Sequence, residues 1–321
     1  SAAQARRLTI DTAAPATPEL VAVPSPSNDA TPRLSWSAVA DAASYVVTLD
    51  GVQTVVTATF LDPAALADGA HGWTVAAQDA AGNRSAEAPA QSFVIDTTPP
   101  AVPAPIAFTP DPTNAVSPTV AWAAVAEAAS YDVQWDKVPS FNGTDLRNAT
   151  TTSTSHTLPL ASDGTWYWRV RSADAVGSAS AWSAADSFVR DTAAPANPAL
   201  SSPANDALVA SRTVSLSWSA VADAAAYLVD YSQSATLATF DRAETTLTAR
   251  GLTVSADGDW YWRVLARDAA GNLSPVATTA IRHLQVDTVA PAAPVLAAVA
   301  SPTADSTPTL SWAASAGAAS Y

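Results

Sequence analysis

Apolar residues recur at every second position in several segments of this chain. The segments RLSW (33–36), YVVTL (45–49) and WTVAA (73–77) show this alternation, and similar segments follow further along. A period of two is typical of strands that turn one face to a core and the other to water. The pattern therefore predicts an all-β protein built from antiparallel sheets.

The predicted strands belong to a unit that is repeated along the chain. In one phrase of this unit, a Trp precedes a Tyr by nine residues. Its four copies are PRLSWSAVADAASY (32–45), PTVAWAAVAEAASY (118–131), VSLSWSAVADAAAY (214–227) and PTLSWAASAGAASY (308–321).

Two further phrases share this register. In one, an Asp-Gly pair lies five residues before Trp73, Trp168 and Trp262. The other resembles LTIDTAAP and has its Asp at positions 11, 96, 191 and 287, which gives periods of 85, 95 and 96 residues. Units of this length that contain several short strands are typical of β-sandwich domains.

We predict three complete seven-strand sandwiches strung end to end, flanked by two partial ones. The predicted ranges are 1–13 for the last strand and linker of a preceding repeat, 14–98, 99–193 and 194–289 for the complete repeats, and 290–321 for strands A, B and C of a truncated fourth repeat. A partial sandwich cannot bury its apolar face alone. We therefore expect a neighbouring copy, or the continuing chain, to complete both ends.

The order Leu-x-Trp, a turn, Tyr-x-Val-x-Leu and Trp-x-Val-x-Ala-x-Asp-x-x-Gly resembles a fibronectin type III domain. It is most similar to the Ala- and Thr-rich, immunoglobulin-like versions found in tandem in secreted and surface proteins of bacteria. The resemblance covers the whole chain and implies an extracellular or cell-surface location. In that family strand F usually opens with a Tyr that fastens the preceding corner. Here the position holds His71, Trp166 and Trp260, so we expect packing and the Asp-Gly turn to hold the corner.

The recurring aromatic residues are predicted to fill the sandwich cores, because large rings supply much apolar area to a small domain. These residues are Trp36, Tyr45, Trp73, Trp122, Tyr131, Trp168, Trp218, Tyr227 and Trp262. The second repeat also has Trp182 close in sequence to Arg169 and Arg171, where the Arg side chains could stack on the ring or the ring could form a platform for a sugar.

Composition narrows the classes of partner. The chain of 321 residues has a formal net charge of −14, which argues against nucleic acid and anionic membrane surfaces as partners. It contains no Cys, so no disulfide can support the fold, and no apolar run approaches the ~18 residues of a membrane span. It does not begin with Met or with a leader pattern, so we expect a segment internal to a longer precursor.

The sequence predicts no catalytic and no cofactor-binding residue. His71, His156 and His283 fall at unrelated positions of three different repeats, and none shares a register with a Ser or Asp as a catalytic triad requires. Glycine-rich phosphate loops and paired metal-binding His motifs are also missing from the sequence. We therefore predict that the segment is not an enzyme.

The topology implied by the resemblance brings acidic residues together where one repeat meets the next. The predicted sets are Asp68, Asp96, Glu127 and Asp174 at the first junction, and Asp163, Asp191, Asp223 and Asp268 at the second. Crowded carboxylates of this kind could bind Ca²⁺, which accepts 6–8 oxygen ligands in flexible geometry. The alternative is turn chemistry, since Asp in Asp-Gly and Asp-Ala-Ala-Gly-Asn bonds to nearby backbone groups.

Two functions remain open at this stage. The short linkers DTTPPAVPAP and DTAAPANPAL are rich in Pro, which fixes φ and stiffens the chain. The first hypothesis is therefore a structural segment of a long extracellular stalk, adhesin or filament, with self-association or a continuing chain in a fibre. The alternative is an accessory spacer or glycan-binding module of a secreted polysaccharide-degrading enzyme. A glycan or surface partner is compatible with both.

Overall fold

A computed structural model describes residues 8–299, 301 and 306–321. The regular structure within these residues is β-sheet, apart from one short 3₁₀ turn at Val276–Thr278. This confirms the all-β prediction. The last strand predicted within residues 1–13 falls largely outside the described residues, and Leu8, Thr9 and Ile10 are not part of a strand.

The first repeat contains six strands in two sheets. They are β1 (Leu34–Ser35), β2 (Ser44–Leu49), β3 (Val52–Val56), β4 (Phe60–Leu61), β5 (Gly69–Gln78) and β6 (Gln91–Ile95). Strand β1 pairs with β4, and the other four form a sheet in the order β3-β2-β5-β6. The segment before β1 pairs only through isolated bridges, at Leu20 and Ser27. Pro24 and Pro26 lie in this segment and supply no N–H to a strand ladder.

The second repeat has the seven strands that the sequence predicts. They are β7 (Pro105–Ile106), β8 (Thr119–Trp122), β9 (Ser130–Asp136), β10 (Arg147–Thr151), β11 (Ser155–Thr157), β12 (Gly164–Ala173) and β13 (Asp186–Arg190). The two sheets have the orders β11-β8-β7 and β10-β9-β12-β13.

The third repeat has eight strands because its first strand is divided in two. They are β14 (Leu200–Ser202), β15 (Ala207–Val209), β16 (Thr213–Trp218), β17 (Ala226–Ser232), β18 (Asp241–Thr245), β19 (Ala249–Thr253), β20 (Gly258–Arg267) and β21 (Arg282–Val286). The sheet orders are β14-β16-β19 and β15-β21-β20-β17-β18. Strand β14 belongs to one sheet and β15 to the other, so the chain crosses the sandwich between them.

Each repeat has its own hydrophobic core, formed by residues from Leu20 to Ile95, from Phe108 to Phe188 and from Leu200 to Val286. The chain divides into two compact units. One unit comprises the described residues up to Phe108 together with Ser117–Phe188, and it contains the first two cores. The other comprises Thr109–Val116 and the described residues of Val189–Tyr321, and it contains the third core. The repeat boundaries given above stay predictions.

The same aromatic set lies at the centre of every core. All nine Trp and Tyr residues predicted for the cores are buried, with exposed fractions of 4% or less. In the second repeat the ring centroids of Trp122 and Tyr131 are 5.5 Å apart, and those of Trp122 and Trp168 are 6.3 Å apart. Trp36 and Trp73 in the first repeat have the same 6.3 Å separation. Trp122 comes from one sheet and Trp168 from the other, so their contact joins the two sheets.

The core Tyr also holds the loop that leads into its strand. The Tyr131 hydroxyl accepts a hydrogen bond from the backbone N–H of Val125 at 3.0 Å, and Tyr45 and Tyr227 make the equivalent bond at 2.9 Å. This loop separates the Trp and the Tyr of the repeated phrase. The hydroxyl therefore explains why the spacing of nine residues is constant.

The first and last strand segments of each repeat pair in parallel. In the first repeat Ser27 donates its N–H to Val94 and accepts from the N–H of Asp96, at 3.0 and 2.9 Å. Thr113 makes the corresponding two bonds in the second repeat. In the third repeat the pairing lengthens into a parallel ladder between β15 and β21. This pairing connects the start of each repeat directly to its end.

The described residues of 290–321 begin the same pattern again. Leu296 bridges Trp312, and the Tyr321 hydroxyl lies 2.5 Å from the backbone nitrogen of Ser315. The ring centroids of Trp312 and Tyr321 are 5.9 Å apart. Trp312 is 44% exposed and Tyr321 59% exposed, whereas their counterparts in the complete repeats are buried.

We expect Tyr131→Phe to destabilise the second repeat by roughly 1 kcal/mol, because it keeps the ring and leaves the Val125 N–H without an acceptor. Denaturant unfolding followed through the second repeat measures the change. Tyr167→Phe is the matched control, since Tyr167 is on the outward side of β12 and its hydroxyl bonds to no described residue. Equal effects of the two variants would contradict the role given to the Tyr131 hydroxyl.

Candidate functional site: the linker between repeats

Each repeat ends in an Asp-Thr pair, and in the first and third repeats the preceding Asp-Gly turn binds the Thr of this pair. The turn requires glycine because Gly69 has φ of +133°, a backbone conformation that residues with a Cβ rarely adopt. Asp68, immediately before it, accepts hydrogen bonds from the Thr97 N–H at 2.9 Å, the Thr97 hydroxyl at 2.7 Å and the Thr98 hydroxyl at 2.5 Å. These donors, Thr98 first, lower the pKa of the Asp68 carboxyl. The Asp-Gly turn of the first repeat therefore binds the beginning of the linker.

The third repeat uses the same contact with an added cation. The carboxylate of Asp257 accepts from the Thr288 N–H at 3.0 Å and from the Arg212 side chain at 2.8 Å. The Arg212 guanidinium, followed by Thr288, lowers the pKa of Asp257 to about 2. In the second repeat the equivalent Asp163 accepts a hydrogen bond at its backbone carbonyl from the Lys137 ammonium, at 2.8 Å.

The loop before the last strand of each repeat, here called the F–G loop, spans residues 79–90, 174–185 and 268–281. It binds the linker that leads into its own repeat. Asn83 and Asn272 donate their side-chain N–H to the carbonyls of Asp11 and Asp191, at 3.1 and 2.8 Å. In the second repeat Ser178 occupies this position, and its hydroxyl lies 3.5 Å from the Asp96 carbonyl. The linker carbonyl thus has a donor in all three repeats, and the shorter Ser makes the longest contact.

The acidic residue at the start of each F–G loop shapes that loop. Asp79 and Asp268 each accept two bonds from the Asn four residues later, one from its backbone and one from its side chain, all at 2.8 Å. Asp174 accepts from the N–H groups of Val176 and Ser178, both at 2.9 Å. These carboxylates therefore perform the turn chemistry considered in the sequence analysis.

The remaining predicted acids occupy turns or begin the linker. Glu127 and Asp223 are exposed and have φ of 64° and 65°. They lie in the B–C turn, which connects β8 to β9 in the second repeat and β16 to β17 in the third. Asp191 accepts from the N–H of Ala193 at 3.0 Å, which is a local Asx-type contact. Asp96 is partly exposed and contributes its backbone N–H and carbonyl to the pairings described above.

Acidic side chains from three loops meet at the start of the first repeat. Asp11 of the linker, Asp41 of the B–C turn and Asp79 of the F–G loop line one surface recess of 320 Å³. This is the convergence that the topology implies. Among residues 8–299, 301 and 306–321, however, no group of three or more acidic or His side chains has a geometry that could hold a metal ion. Binding of Ca²⁺ at Asp68, Asp96, Glu127 and Asp174, and at their second-junction counterparts, stays a prediction.

The corner before strand F, which is β5, β12 or β20 in the three repeats, is held by a ring N–H. The sequence did not predict this contact. Trp166 and Trp260 donate their indole N–H to the carbonyls of Ser162 and Ala256, four residues earlier, at 3.1 and 3.0 Å. His71 makes the same contact through Nε2, 2.8 Å from the Ala67 carbonyl. A ring N–H therefore takes the place of the Tyr hydroxyl of the related family. In the sequence, the sign of this contact was a His or a Trp where that family has Tyr.

The first-repeat corner carries a charge that the others lack. While Nε2 of His71 faces a carbonyl, its Nδ1 lies 2.6 Å from the Asp50 carboxylate. Both contacts are hydrogen bonds only when both ring nitrogens are protonated. The Asp50 carboxylate, followed by the Ala67 carbonyl, accordingly raises the pKa of His71.

The other His residues have separate surroundings. His156 packs its ring 5.6 Å from that of Trp135. His283 lies between Asp206 and Asp259, at 2.8 and 3.1 Å, and Asp206 makes the larger contribution to its raised pKa.

Residues 25–97 match the family described as bacterial Ig-like domain. They contain most of the first core, and the same Trp, Tyr and Asp landmarks recur in the second and third repeats. The chain consists of tandem immunoglobulin-like β-sandwich repeats, of which the first matches the bacterial family. Within the described residues of these repeats, no helix is long and apolar enough to cross a bilayer.

The tandem repeats are similar to part of Exoglucanase B from Cellulomonas fimi. The two sequences are 31% identical over 289 residues, which is 83% of this chain and 25% of that protein. The chain thus spans about a quarter of the length of this relative. Among solved structures, the FN1–FN3 domains of chicken CNTN1 give a TM-score of 0.39 at 14% identity, over 84% of this chain and 98% of theirs.

We expect the His71–Asp50 contact to make the first repeat sensitive to pH. Because the folded pKa of His71 is raised, its stabilising contribution is complete below the ordinary value of about 6.5 and is lost as pH rises through the folded pKa. Hydrogen-exchange protection factors of the Gly72 and Trp73 amides should fall over that interval. His71→Trp, which copies the other two repeats, should remove the dependence, and His156→Gln should preserve it. A pH response that survives His71→Trp would contradict this assignment.

The calcium prediction is tested by thermal unfolding with chelator and with millimolar Ca²⁺. Bound Ca²⁺ would raise the melting temperature, because a ligand that binds only the folded state stabilises it. Asp96→Ala would abolish that rise at the first junction. A melting curve unchanged by chelator and by Ca²⁺ would contradict calcium binding. The eight carboxylates would then act only through hydrogen bonds within turns.

Proposed function

We propose that this chain is a non-catalytic structural segment of an extracellular stalk, adhesin or filament, in which the repeats act as stiff spacers. The observation that carries the proposal is the first junction, where both flanking repeats bind the linker. Asp68 of the first repeat binds Thr97 and Thr98. From the second repeat, Ser172 donates its hydroxyl to the Ala101 carbonyl at 2.7 Å.

Attachment from both sides limits bending of the linker. A change in the angle between the first two repeats has to break some of these hydrogen bonds, each of which contributes about 0.5–1.5 kcal/mol on average. Two consecutive prolines, Pro99 and Pro100, separate the two sets of contacts and fix φ in the middle of the linker. The recurrence of the Asp-Thr contact at Asp257 and Thr288 supports the same role for the third repeat.

A second candidate function follows from the sequence relative. Similarity to a quarter of an exoglucanase supports a role as an accessory spacer or glycan-binding module in a secreted polysaccharide-degrading enzyme. Catalysis would then be encoded outside these 321 residues. The complete reading frame distinguishes the two: a long array of further repeats favours the stalk, and an adjoining catalytic domain favours the enzyme accessory.

Asp68→Ala tests the stiffness of the first junction. It removes three hydrogen bonds to the linker, so we expect independent motion of the first two repeats, seen as diverging NMR rotational correlation times. Asp62→Ala is the matched control, since it makes the same charge change in the same repeat, where Asp62 pairs with Arg33 at 2.8 Å and does not contact the linker. Correlation times that stay equal in Asp68→Ala would argue against a junction held by these bonds.

Self-association in a fibre also stays a prediction. Light scattering over a concentration series tests it, and a strictly monomeric chain at all concentrations would contradict it.

A further inference from the structure

The outer face of the second repeat carries two rows of polar side chains across three strands. Because side chains alternate along a strand, Gln134 on β9 and Arg169 on β12 point away from the core. These two residues are directly opposed, and Asn148 of β10 extends their row. The neighbouring row contains Thr150, Asp132 and Arg171 in the same strand order.

The two rows differ in how their charges are balanced. In one row, Asp132 accepts hydrogen bonds from Arg171 at 3.0 Å and from the Thr150 hydroxyl at 2.7 Å. In the other row, the partner of Arg169 is the neutral amide oxygen of Gln134, at 2.9 and 2.6 Å. Among the described residues no carboxylate forms an ion pair with Arg169. Desolvation, followed by repulsion from Arg171, lowers the pKa of Arg169.

The Trp182 ring contacts the arginine of each row. Its ring centroid lies 4.8 Å from the guanidinium carbon of Arg169 and 4.7 Å from that of Arg171. Trp182 is partly exposed and, together with Gln134, Asn148 and Arg171, lines an open recess of 490 Å³. The recess therefore combines an aromatic ring, amide groups and the balanced pair of Asp132 and Arg171. Arg169 does not line the recess but adjoins it, through its contacts with Gln134 and Trp182.

The third repeat shows how the same face looks when its charge is balanced. Arg263 occupies the position of Arg169, and opposite it lies Asp230, a fully buried carboxylate that also binds Arg242. Leu265 stands in place of Arg171, and Val276 in place of Trp182. The second repeat thus departs from its neighbour at three positions that all line or adjoin the recess.

The first repeat has a third version of this face. Thr48 and Thr74 are opposed at the positions of Gln134 and Arg169, so it carries no charge there. The core positions are alike in all three repeats, whereas the outer-face positions differ. Core packing therefore does not require the combination found in the second repeat.

We propose that this recess, together with the adjoining Arg169, binds a single pyranose ring that carries a carboxylate, such as a uronic acid residue of a polysaccharide. A partly exposed indole offers a flat apolar surface for the C–H face of a sugar ring. An arginine without a carboxylate partner can bind a ligand carboxylate through two charge-assisted hydrogen bonds. The side-chain amides of Asn148 and Gln134 supply donors for sugar hydroxyls. An acidic peptide satisfies the arginine but makes less use of the ring, and it is an alternative that the test separates.

Isothermal titration of the whole chain with a short oligogalacturonate tests the proposal. We expect saturable binding that weakens as salt is added, since the contact is between charges at a surface. A neutral cello-oligosaccharide of the same length and a glutamate-rich peptide should bind at least tenfold more weakly. Equal affinity for the neutral sugar would overturn the carboxylate requirement. Equal affinity for the peptide would overturn the sugar requirement, and no binding of the oligogalacturonate would overturn the proposal.

The decisive variant is Gln134→Asp, which places opposite Arg169 the residue that the third repeat uses opposite Arg263. It should fold, because that pair already exists in this chain, and it should weaken binding about tenfold or more by neutralising Arg169. Gln53→Asp makes the same chemical change on the exposed edge strand β3 and should leave affinity unchanged. Trp182→Val, which copies the third repeat, should also weaken binding at least tenfold. Unchanged affinity in Gln134→Asp, or an equal loss in Gln53→Asp, would contradict the site.

Discussion

The aromatic contact across the sandwich is the interaction on which every repeat depends. A domain of under a hundred residues without a disulfide has little apolar surface to bury, and a Trp or Tyr buries roughly 150–250 Å² of it. Trp122 and Trp168 come from opposite sheets, so their contact sets the distance between the sheets as well as filling the space. The Tyr131 ring completes the group, and its hydroxyl fixes the turn that connects the two strands. Strand pairing, turn geometry and core packing are coupled through these three side chains.

The strands and the core residues, which these aromatic side chains organise, could be predicted from the sequence. A period of two and the recurrence of Trp and Tyr identified the strands and the core, because both depend on which side of a strand each residue occupies. The number of strands differed between repeats because it depends on the first segment. This segment pairs only through isolated bridges in the first repeat, and it forms two strands, β14 and β15, in the third. Landmarks such as the Trp and the Tyr contain no information on that segment.

The candidate site was harder to predict, because acidic residues in loops have several uses. Topology placed Asp11, Asp41 and Asp79 around one recess, as expected of linker, B–C and F–G residues. Sequence position did not reveal that Asp68 binds Thr97, or that Asn83 reaches a linker carbonyl. These contacts join residues that are far apart in sequence. They can be predicted only when the position of the linker between the two loops is known. The corner was missed for a related reason: His and Trp do not resemble Tyr as residue types, although all three place a hydrogen-bond donor at the tip of a ring.

The parallel pairing of the first and last segments has a mechanical consequence. When a repeat is pulled by its two ends, the force passes directly between these neighbouring segments. Their hydrogen bonds lie across the direction of pulling and are therefore sheared together, whereas an antiparallel hairpin pulled from one end opens one bond at a time. Ser27 and Thr113 each contribute two such bonds, and the β15–β21 ladder is longer. The third repeat should accordingly resist tension best and the first two should yield before it, which gives the chain a graded response to load.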